Sequence, residues 1–302
     1  MSSDLTGILP VLPTPFALGG DVDRLGMAKL TKFALAHGVH GVVFPGFASE
    51  VETLTGQERA DLLKIVVAEV GGRVPIIAGA SAATWEEVVA HGSAAAALGI
   101  RHLMVQPPKS VGIDAPALID FLGKVLDALP SIEIILQNAP APRGSDLSPA
   151  AIIEIITALP RVAYVKEETL PAGPAISHII ANAPQTLKGV IGGGGARYVL
   201  DEYARGATAA MPALEIVDEH VALTRAWNEG RRDEARQIYV RTLPLLVLQA
   251  VYRMRLTKYV LRRRGVIEHI DVRAPTPMLD DPACTDIDRN LSELGLLVAE
   301  AA

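Results

Sequence analysis

The sequence contains a single cysteine, Cys284, and few aromatic residues, which make up 4% of its 302 residues. One cysteine excludes an intramolecular disulfide and a cysteine-rich metal site. Because aromatic residues are scarce, alanine, valine, leucine and isoleucine must build the core, and hydrophobic residues make up 50% of the chain. Such a core suits parallel strands that are buried on both faces. Intrinsically disordered chains are poorer in these residues.

Long hydrophobic runs and basic stretches are also missing. No apolar run reaches the roughly 18 residues of a membrane-spanning helix, and residues 1–6 lack the charged and apolar regions of a signal peptide. The net charge is −6, and the one cationic cluster, Arg262 to Arg264, ends a predicted helix. A protein of this charge is not expected to bind nucleic acid. We therefore expect a soluble, cytoplasmic protein without a membrane partner.

Short apolar segments alternate with longer segments of helical periodicity. The predicted strands are residues 7–11, 41–44, 74–78, 102–106, 133–137, 162–166, 189–191 and 207–211. The predicted helices between them are residues 22–37, 56–70, 84–98, 115–129, 148–159, 173–182 and 196–205. This alternation predicts an α/β fold, a (β/α)8 TIM barrel. The alternative is a doubly wound sheet, but the first strand lacks the glycine-rich fingerprint typical of one.

From about residue 214 only helical periodicity remains, in residues 214–228, 232–248, 249–264 and 285–298. The pattern predicts a C-terminal helical extension. We expect two regions, a catalytic barrel of residues 1–225 and a helical region of residues 226–302.

Lys166 stands where a catalytic side chain is expected. In a (β/α)8 barrel the active site lies at the carboxyl ends of the strands, and Lys166 closes the sixth predicted strand. Burial there disfavours the ammonium form, and a neutral amine can attack a ketone to form a Schiff base. The alternative interpretation is a strand-end lysine that extends into solvent.

Three segments support the first interpretation: residues 7–16, Gly46-Phe47-Ala48-Ser49-Glu50, and Val165-Lys166-Glu167-Glu168-Thr169. In sequence, order and spacing they resemble the opening strand, the G-[ST]-T-G-E loop and the Schiff-base lysine segment of the dihydrodipicolinate synthase and N-acetylneuraminate lyase family. The resemblance implies a (β/α)8 barrel with C-terminal helices, usually a homotetramer. It also implies class I aldolase chemistry, in which pyruvate or another 2-keto acid binds covalently to Lys166 without a further cofactor.

The resemblance also implies roles for individual residues. Ala48 and Ser49 correspond to the residues that bind the substrate carboxylate, and Gly192 and Gly193 to positions where the substrate approaches the backbone. The predicted substrate-binding residues are Phe47, Ala48, Ser49, Lys109, Asn138, Gly192 and Gly193. The predicted catalytic residues are Lys166, Gln137, Glu50 and Glu168.

The chain departs from the family's proton relay. Gln137 stands where the family carries a tyrosine, Phe47 where it carries a threonine, and Lys109 near the position of a second tyrosine. A glutamine can form hydrogen bonds but cannot act as a general base. The synthases' substrate-binding arginine aligns with Pro142, beside Arg143.

Glu50 and Glu168 are therefore the leading proton carriers. Ser49, Lys109 and the substrate's own carboxylate are further candidates. Each residue also has a structural interpretation: Glu50 could bind local N–H groups, Glu168 could pair with a neighbouring strand, and Lys109 could be a solvated loop lysine.

One branch of the family resembles the chain most. The segments Phe47-Ala48-Ser49-Glu50, Leu136-Gln137-Asn138-Ala139-Pro140 and the Lys166 strand are similar to those of 2-keto-3-deoxyarabonate dehydratases. We therefore predict a lyase that dehydrates a 2-keto-3-deoxy sugar acid. A pyruvate-dependent aldolase and a non-catalytic keto-acid-binding homologue are the alternatives. No metal is expected, because the seven histidines are scattered along the chain.

Overall fold

The computed structural model describes residues 4–297. The strands are β1 (Gly7–Ile8), β2 (Val42–Val43), β3 (Ile76–Gly79), β4 (His102–Val105), β5 (Glu133–Asn138), β6 (Val162–Glu167), β7 (Gly189–Gly192) and β8 (Ala209–Ala210). The helices are α1 (Arg24–Ala36), α2 (Gly56–Val70), α3 (Trp85–Ala97), α4 (Ala115–Ala128), α5 (Pro149–Ala158), α6 (Ala172–Asn182), α7 (Val199–Ala204), α8 (Val217–Asn228), α9 (Arg232–Arg263) and α10 (Asp281–Glu293).

This order of elements confirms the predicted fold class, a (β/α)8 barrel with a C-terminal helical extension. All eight predicted strands and seven interstrand helices are present, with ends that differ by a few residues. The last predicted helix begins earlier than expected, because Asp280 caps it through a hydrogen bond from the backbone N–H of Ala283. Its predicted end at residue 298 lies outside the described residues.

The chain forms two compact units that interleave in sequence. The first contains the described residues up to Leu9, Pro75–Gly194 and Tyr198–Met211, and the second contains Pro10–Val74, Gly195–Arg197 and the described residues from Pro212 onward. The predicted boundary at residue 225 is a different division of the chain and stays a prediction.

The first unit contains a continuous parallel sheet. Its strands pair in the order β1, β8, β7, β6, β5, β4, β3. Residues Ile134–Leu136 and Val162–Val165 in the middle of this sheet are almost completely buried and apolar. Such strands fit the near-continuous hydrophobic runs that predicted them.

The second unit contains β2 and the C-terminal helices. Val11 bridges both Val43 and Ala213, so the chain after β1 continues as an extended segment between two neighbours. Helices α8, α9 and α10 pack around a cluster that includes Ile216, Leu256 and Ile287. These side chains are fully buried, and their burial stabilises the helical extension.

Helix α9 differs from the prediction of two helices that meet at residue 249. It runs as one element, broken within its length at Arg253, whose φ of 50° and ψ of −125° are not helical. A positive φ is uncommon for a residue other than glycine. Across residues 4–297, none of the helices combines the length and apolar character that crossing a membrane requires.

Candidate active site

Lys166 lies at the carboxyl end of β6 and is 4% exposed. It pairs with Gln137 on β5 and with Ile191 on β7. Because partners in a parallel register point to the same side of a sheet, these three side chains share one face. The opposite face carries Glu167 and Gly192, and Glu202 of α7 lies against Gly192.

Glu168 joins three polar side chains at this end of the sheet. Its Oε1 lies 3.3 Å from Nζ of Lys166. Its Oε2 accepts a 2.6 Å hydrogen bond from Nε2 of Gln137 and a 3.4 Å hydrogen bond from the guanidinium of Arg143. The structure thus brings together three of the four predicted catalytic residues of the chain, with Arg143 as an additional member.

The surroundings lower the pKa of both Lys166 and Glu168. Burial, the largest effect, lowers the pKa of Lys166; Arg143 lowers it further, while Glu168 opposes the shift. Burial by itself would raise the pKa of Glu168, but the charges of Lys166 and Arg143, with the amide of Gln137, keep that pKa below its ordinary value. A neutral amine is the nucleophile that Schiff-base formation requires, and a nearby carboxylate can accept a proton.

Asn138, a predicted substrate-binding residue, does not join this cluster. It pairs with Glu167 in the register, so both lie on the face away from Lys166. Its Nδ2 donates to Glu167 and to the carbonyl of Leu147, and its Oδ1 accepts from the N–H of Leu147. These bonds use the amide to fix the chain that follows β5.

Gly192 and Gly193 each make room for a glutamate. A Cβ on Gly192 would overlap the carboxylate of Glu202, and a Cβ on Gly193 would overlap the side chain of Glu168. Contacts with these two glutamates therefore require glycine at both positions. This requirement is separate from the predicted close approach of a substrate. That predicted role stays a prediction.

Sequence reasoning missed Glu202, which is 1% exposed. It accepts a hydrogen bond from the backbone N–H of Gly193, and its Oε2 has no hydrogen-bond partner among the described residues. Burial, together with the charge of Glu168, raises the pKa of Glu202 to about 8. The raised pKa favours the neutral carboxylic acid form of Glu202 at neutral pH. A signal was present in the sequence, since a glutamate on a short helix follows the glycine pair.

Lys109 lies apart from these groups in the chain that follows β4. It begins a short 3-10 turn, Lys109–Val111, and its side chain is exposed. This placement is compatible with the structural interpretation of Lys109 as a solvated loop lysine. Its role in substrate binding stays a prediction.

In the second unit, the loop after β2 forms a 3-10 turn, Phe47–Ser49. The N–H of Ser49 donates to the carbonyl of Gly46, and its hydroxyl donates to the carbonyl of Leu12 at 2.5 Å. The same hydroxyl accepts from the N–H of Gly46, and the hydroxyl of Thr14 donates to the carbonyl of Ser49. Ser49 therefore uses both of its donors within the protein, while Ala48 lies half-buried beside it.

Glu50, the fourth predicted catalytic residue, is held in the second unit by a buried ion pair. Its Oε1 accepts a 2.6 Å hydrogen bond from Nζ of Lys258, and neither side chain is exposed. Its Oε2 accepts from the N–H groups of Arg273 and Ala274, at 2.7 Å each. This network connects the loop after β2 to α9 and to the chain before α10, and it uses both oxygens of Glu50.

Arg253 also contacts this loop. Its guanidinium lies 5.4 Å from the ring centroid of Phe47. The backbone strain of such a conformation is of order 1–3 kcal/mol, whereas an exposed cation–π contact contributes about 0.5–1 kcal/mol. The contact with Phe47 alone does not offset the strain at Arg253.

Comparisons with known proteins cover nearly the whole chain. The dihydrodipicolinate synthetase family model matches residues 4–294. The chain is a member of the dihydrodipicolinate synthetase family. It is therefore a lyase, like the enzymes of that family.

Individual relatives within the dihydrodipicolinate synthetase family carry different names. An L-2-keto-3-deoxyarabonate dehydratase of Azospirillum brasilense is 31% identical over 277 residues, 90% of this chain and 89% of that protein. A 4-hydroxy-tetrahydrodipicolinate synthase of Persephonella marina is also 31% identical, over 283 residues, 89% of this chain and 91% of that protein. Since these identities are equal, overall similarity does not choose between the two activities.

Solved structures of the dihydrodipicolinate synthetase family share the fold. A dihydrodipicolinate synthase from Rhodopseudomonas palustris superposes with a TM-score of 0.88 at 23% identity, covering 97% of this chain and 99% of that chain. A prophage protein of this family from E. coli K12, crystallised with pyruvate, gives a TM-score of 0.87 at 22% identity, with the same coverage. At these identities the likeness concerns the fold alone.

Proposed function

We propose that this lyase dehydrates a 2-keto-3-deoxy sugar acid through a Schiff base on Lys166. The observation that carries the proposal is the contact between Lys166 and Glu168 at the carboxyl end of β6. The amine is buried and its pKa is lowered, and the carboxylate beside it is able to take a proton. The family resemblance at the Lys166 segment and the dehydratase from Azospirillum brasilense support the same reaction.

The proposed reaction begins when the neutral amine of Lys166 attacks the C2 carbonyl, and water leaves to form the imine. Glu168 removes a proton from C3, and the electrons of that bond move into the imine to give an enamine. The enamine expels the C4 hydroxyl, which takes the proton from Glu168 and leaves as water. In the resulting conjugated imine of a five-carbon acid, a proton leaves C5 and another is returned to C3, which gives an enol at C4 and C5 that tautomerises to the aldehyde. Hydrolysis of the imine consumes one water and returns the amine of Lys166, so the net change is the loss of one water.

Gln137 and Arg143 support this role of Glu168. The amide of Gln137 and the guanidinium of Arg143 both bond Oε2, which leaves Oε1 directed at Lys166. A synthase must hold the carboxylate of a second substrate, whereas a dehydratase needs no second substrate. An Arg143 that pairs with a carboxylate of the protein is therefore compatible with dehydration.

Reductive trapping tests the proposal. The protein is incubated with pyruvate or with 2-keto-3-deoxy sugar acids, reduced with borohydride, and mapped by peptide mass. An adduct on Lys166 is expected in the native protein and in Lys124→Met, which removes an exposed lysine of the same unit, and no adduct is expected in Lys166→Met. The absence of an adduct with every 2-keto acid would contradict the proposal and would favour a non-catalytic keto-acid-binding protein.

Product analysis then separates the two enzymatic activities. A dehydratase converts a five-carbon 2-keto-3-deoxy acid into a keto-acid semialdehyde, whereas an aldolase releases pyruvate and an aldehyde. We expect the semialdehyde. We also propose that the protein is a homotetramer, as the family resemblance implies. Light scattering of the purified protein measures its oligomeric state.

A further inference from the structure

Gln106, the residue directly after β4, lies on the face of the sheet that carries Lys166. Val105 at the end of β4 lies opposite Leu136 on β5. The next residue along each chain, Gln106 or Gln137, therefore points to the other face. Gln137 pairs with Lys166, so this face is the one that carries the nucleophile.

A chain of hydrogen bonds connects Gln106 to the cluster around Glu168. Its Nε2 donates a 3.0 Å hydrogen bond to the carbonyl of Arg143. The guanidinium of the same Arg143 bonds Oε2 of Glu168, which also accepts from Gln137. Gln106 is therefore an uncharged member of this cluster, and all of these residues lie in the first unit.

Ser81 places a hydroxyl beside Gln106. It lies two residues after Gly79, the last residue of β3, and its Oγ accepts a 2.8 Å hydrogen bond from the backbone N–H of Gln106. Both side chains are partly buried. Across the described chain, the hydroxyl proton of Ser81 is donated to no protein group, and Oε1 of Gln106 accepts from none. Two residues in contact thus offer one donor and one acceptor, neither of them charged.

This pair matches a substrate hydroxyl, which can donate one hydrogen bond and accept others. A carboxylate or phosphate has no proton for the acceptor and would bring a negative charge toward Glu168. Lys166 on β6 and Gln106 after β4 are separated by two strand spacings, roughly 10 Å at about 4.8 Å each. The pair therefore suits the end of a substrate that lies farthest from an imine on Lys166.

We infer that Ser81 and Gln106 bind the terminal hydroxyl of the sugar acid, which is the C5 hydroxyl of a five-carbon substrate. The inference rests on the proposed function for the identity of the ligand, and it names the groups that select a hydroxylated chain. The oxygen at C5 stays in the product, so binding it does not hinder the departure of the C4 hydroxyl. The carbonyl of Arg143 holds Nε2 of Gln106, which leaves Oε1 to accept the proton of the substrate hydroxyl.

Trapping experiments with two 2-keto acids of equal chain length test this inference. 5-Hydroxy-2-ketopentanoate carries the terminal hydroxyl without a leaving group at C4, and 2-ketopentanoate carries neither hydroxyl. The concentration that labels half of Lys166 in the presence of borohydride is measured for the native protein, Ser81→Ala and Gln106→Met. Ser131→Ala and Gln185→Met are the matched controls, because both residues are exposed and belong to the same unit.

The native protein and both controls are expected to label with the hydroxy acid at a lower concentration than with 2-ketopentanoate. Ser81→Ala and Gln106→Met are each expected to reduce this preference by about threefold to tenfold, the loss typical of one neutral hydrogen bond. Any displacement of Arg143 in Gln106→Met acts on both acids, so the ratio of the two concentrations isolates the hydroxyl. Ser81→Thr keeps a hydroxyl and is expected to keep the native ratio. A native ratio in Ser81→Ala or in Gln106→Met would overturn the inference while leaving the Schiff base intact.

A binding measurement separates this inference from the proposed function. If the native protein forms no adduct with any 2-keto acid, the proposed function fails, and calorimetric titration of the same two acids decides the inference. Tighter binding of the hydroxy acid in the native protein, lost in Ser81→Ala and kept in Ser131→Ala, supports it. Equal binding of the two acids by the native protein, or binding of neither, refutes it.

Discussion

The amine of Lys166 in β6 and the carboxylate of Glu168, the residue directly after that strand, lie 3.3 Å apart. The N–H of Glu168 still donates to the carbonyl of Asn138 on β5, so the extended pairing continues by one residue and the two side chains, two positions apart, point to the same face. This relationship places a proton acceptor beside the predicted nucleophile, which the chain needs because Gln137 cannot act as a base.

Replacing Glu168 by glutamine tests this relationship. The amide keeps the size of the side chain but cannot take a proton, so turnover of a 2-keto-3-deoxy acid is expected to fall by about a hundredfold or more. Loss of the negative charge favours the neutral form of Lys166, so trapping of the imine is expected to persist. Steady-state assays and mass analysis of reduced protein measure the two effects.

Glu154→Gln is the control for Glu168→Gln, since Glu154 is an exposed residue of α5 in the same unit. Its turnover and trapping are expected to match the native protein. Equal turnover of Glu168→Gln and Glu154→Gln would show that Glu168 transfers no proton.

Arg143 is expected to set the pH dependence of imine formation. Imine formation needs the neutral amine, so its rate rises as pH increases through the lowered pKa of Lys166. The positive charge of Arg143 contributes to that lowering. Removing the charge in Arg143→Met raises the pKa of Lys166, and the acid limb of the trapping rate moves to higher pH.

Arg143→Lys provides the comparison, because it keeps the charge while losing the planar guanidinium. Its acid limb is expected to stay near that of the native protein. If the acid limb of the trapping rate moves by the same amount in Arg143→Lys and Arg143→Met, the effect comes from the shape of the side chain, and the prediction is wrong.

The sequence was sufficient to predict the barrel and the end of β6. Buried parallel strands are continuous apolar runs and the helices between them are periodic, so each element could be recognised locally. Lys166, Gln137 and Glu168 could be placed together because strand ends in a parallel sheet lie at one edge.

The partners of several predicted residues could not be deduced in the same way. Glu50 meets Lys258 and Glu202 lies against Gly192, and these pairs depend on how helices dock onto strands and loops. The break within α9 was predicted at residue 249 instead of at Arg253, because neither proline nor glycine marks Arg253 in the sequence. Contacts between residues far apart in sequence leave no local pattern.

The fit between Gly192 and Glu202 yields a stability prediction. In Gly192→Ala the new methyl group would overlap the carboxylate of Glu202, and overpacking of this kind typically costs about 1–3 kcal/mol. Adding Glu202→Ala removes the overlapping group, so the double variant is expected to recover part of the loss. Urea unfolding of the two single variants and the double variant measures the coupling.

Gly123→Ala is the matched control for this cycle. A Cβ on Gly123 in α4 would meet a side-chain atom of Leu159 at 3.9 Å, an ordinary contact. This variant is expected to keep or slightly increase the stability, since alanine is favoured over glycine within a helix. Additive effects of Gly192→Ala and Glu202→Ala would argue that the two side chains do not conflict.

Removing one partner of the ion pair between Glu50 and Lys258 is expected to destabilise the protein strongly. In Lys258→Met the carboxylate of Glu50 stays buried without its cation, which typically costs about 3–5 kcal/mol. The double variant Glu50→Gln/Lys258→Met buries no charge at this place and is expected to be more stable than Lys258→Met. The free energy of unfolding in urea distinguishes the variants.

Lys29→Met isolates the contribution of burial in this comparison. Lys29 pairs with Glu268 at 3.3 Å, and both side chains are largely exposed, so its removal is expected to cost less than about 1 kcal/mol. The two lysines form ion pairs of the same chemical type, and they differ in access to water. A loss in Lys258→Met no larger than that in Lys29→Met would mean that water reaches Glu50 once its partner is gone, and the loop after β2 would then owe its position to Arg273 and Ala274 rather than to α9.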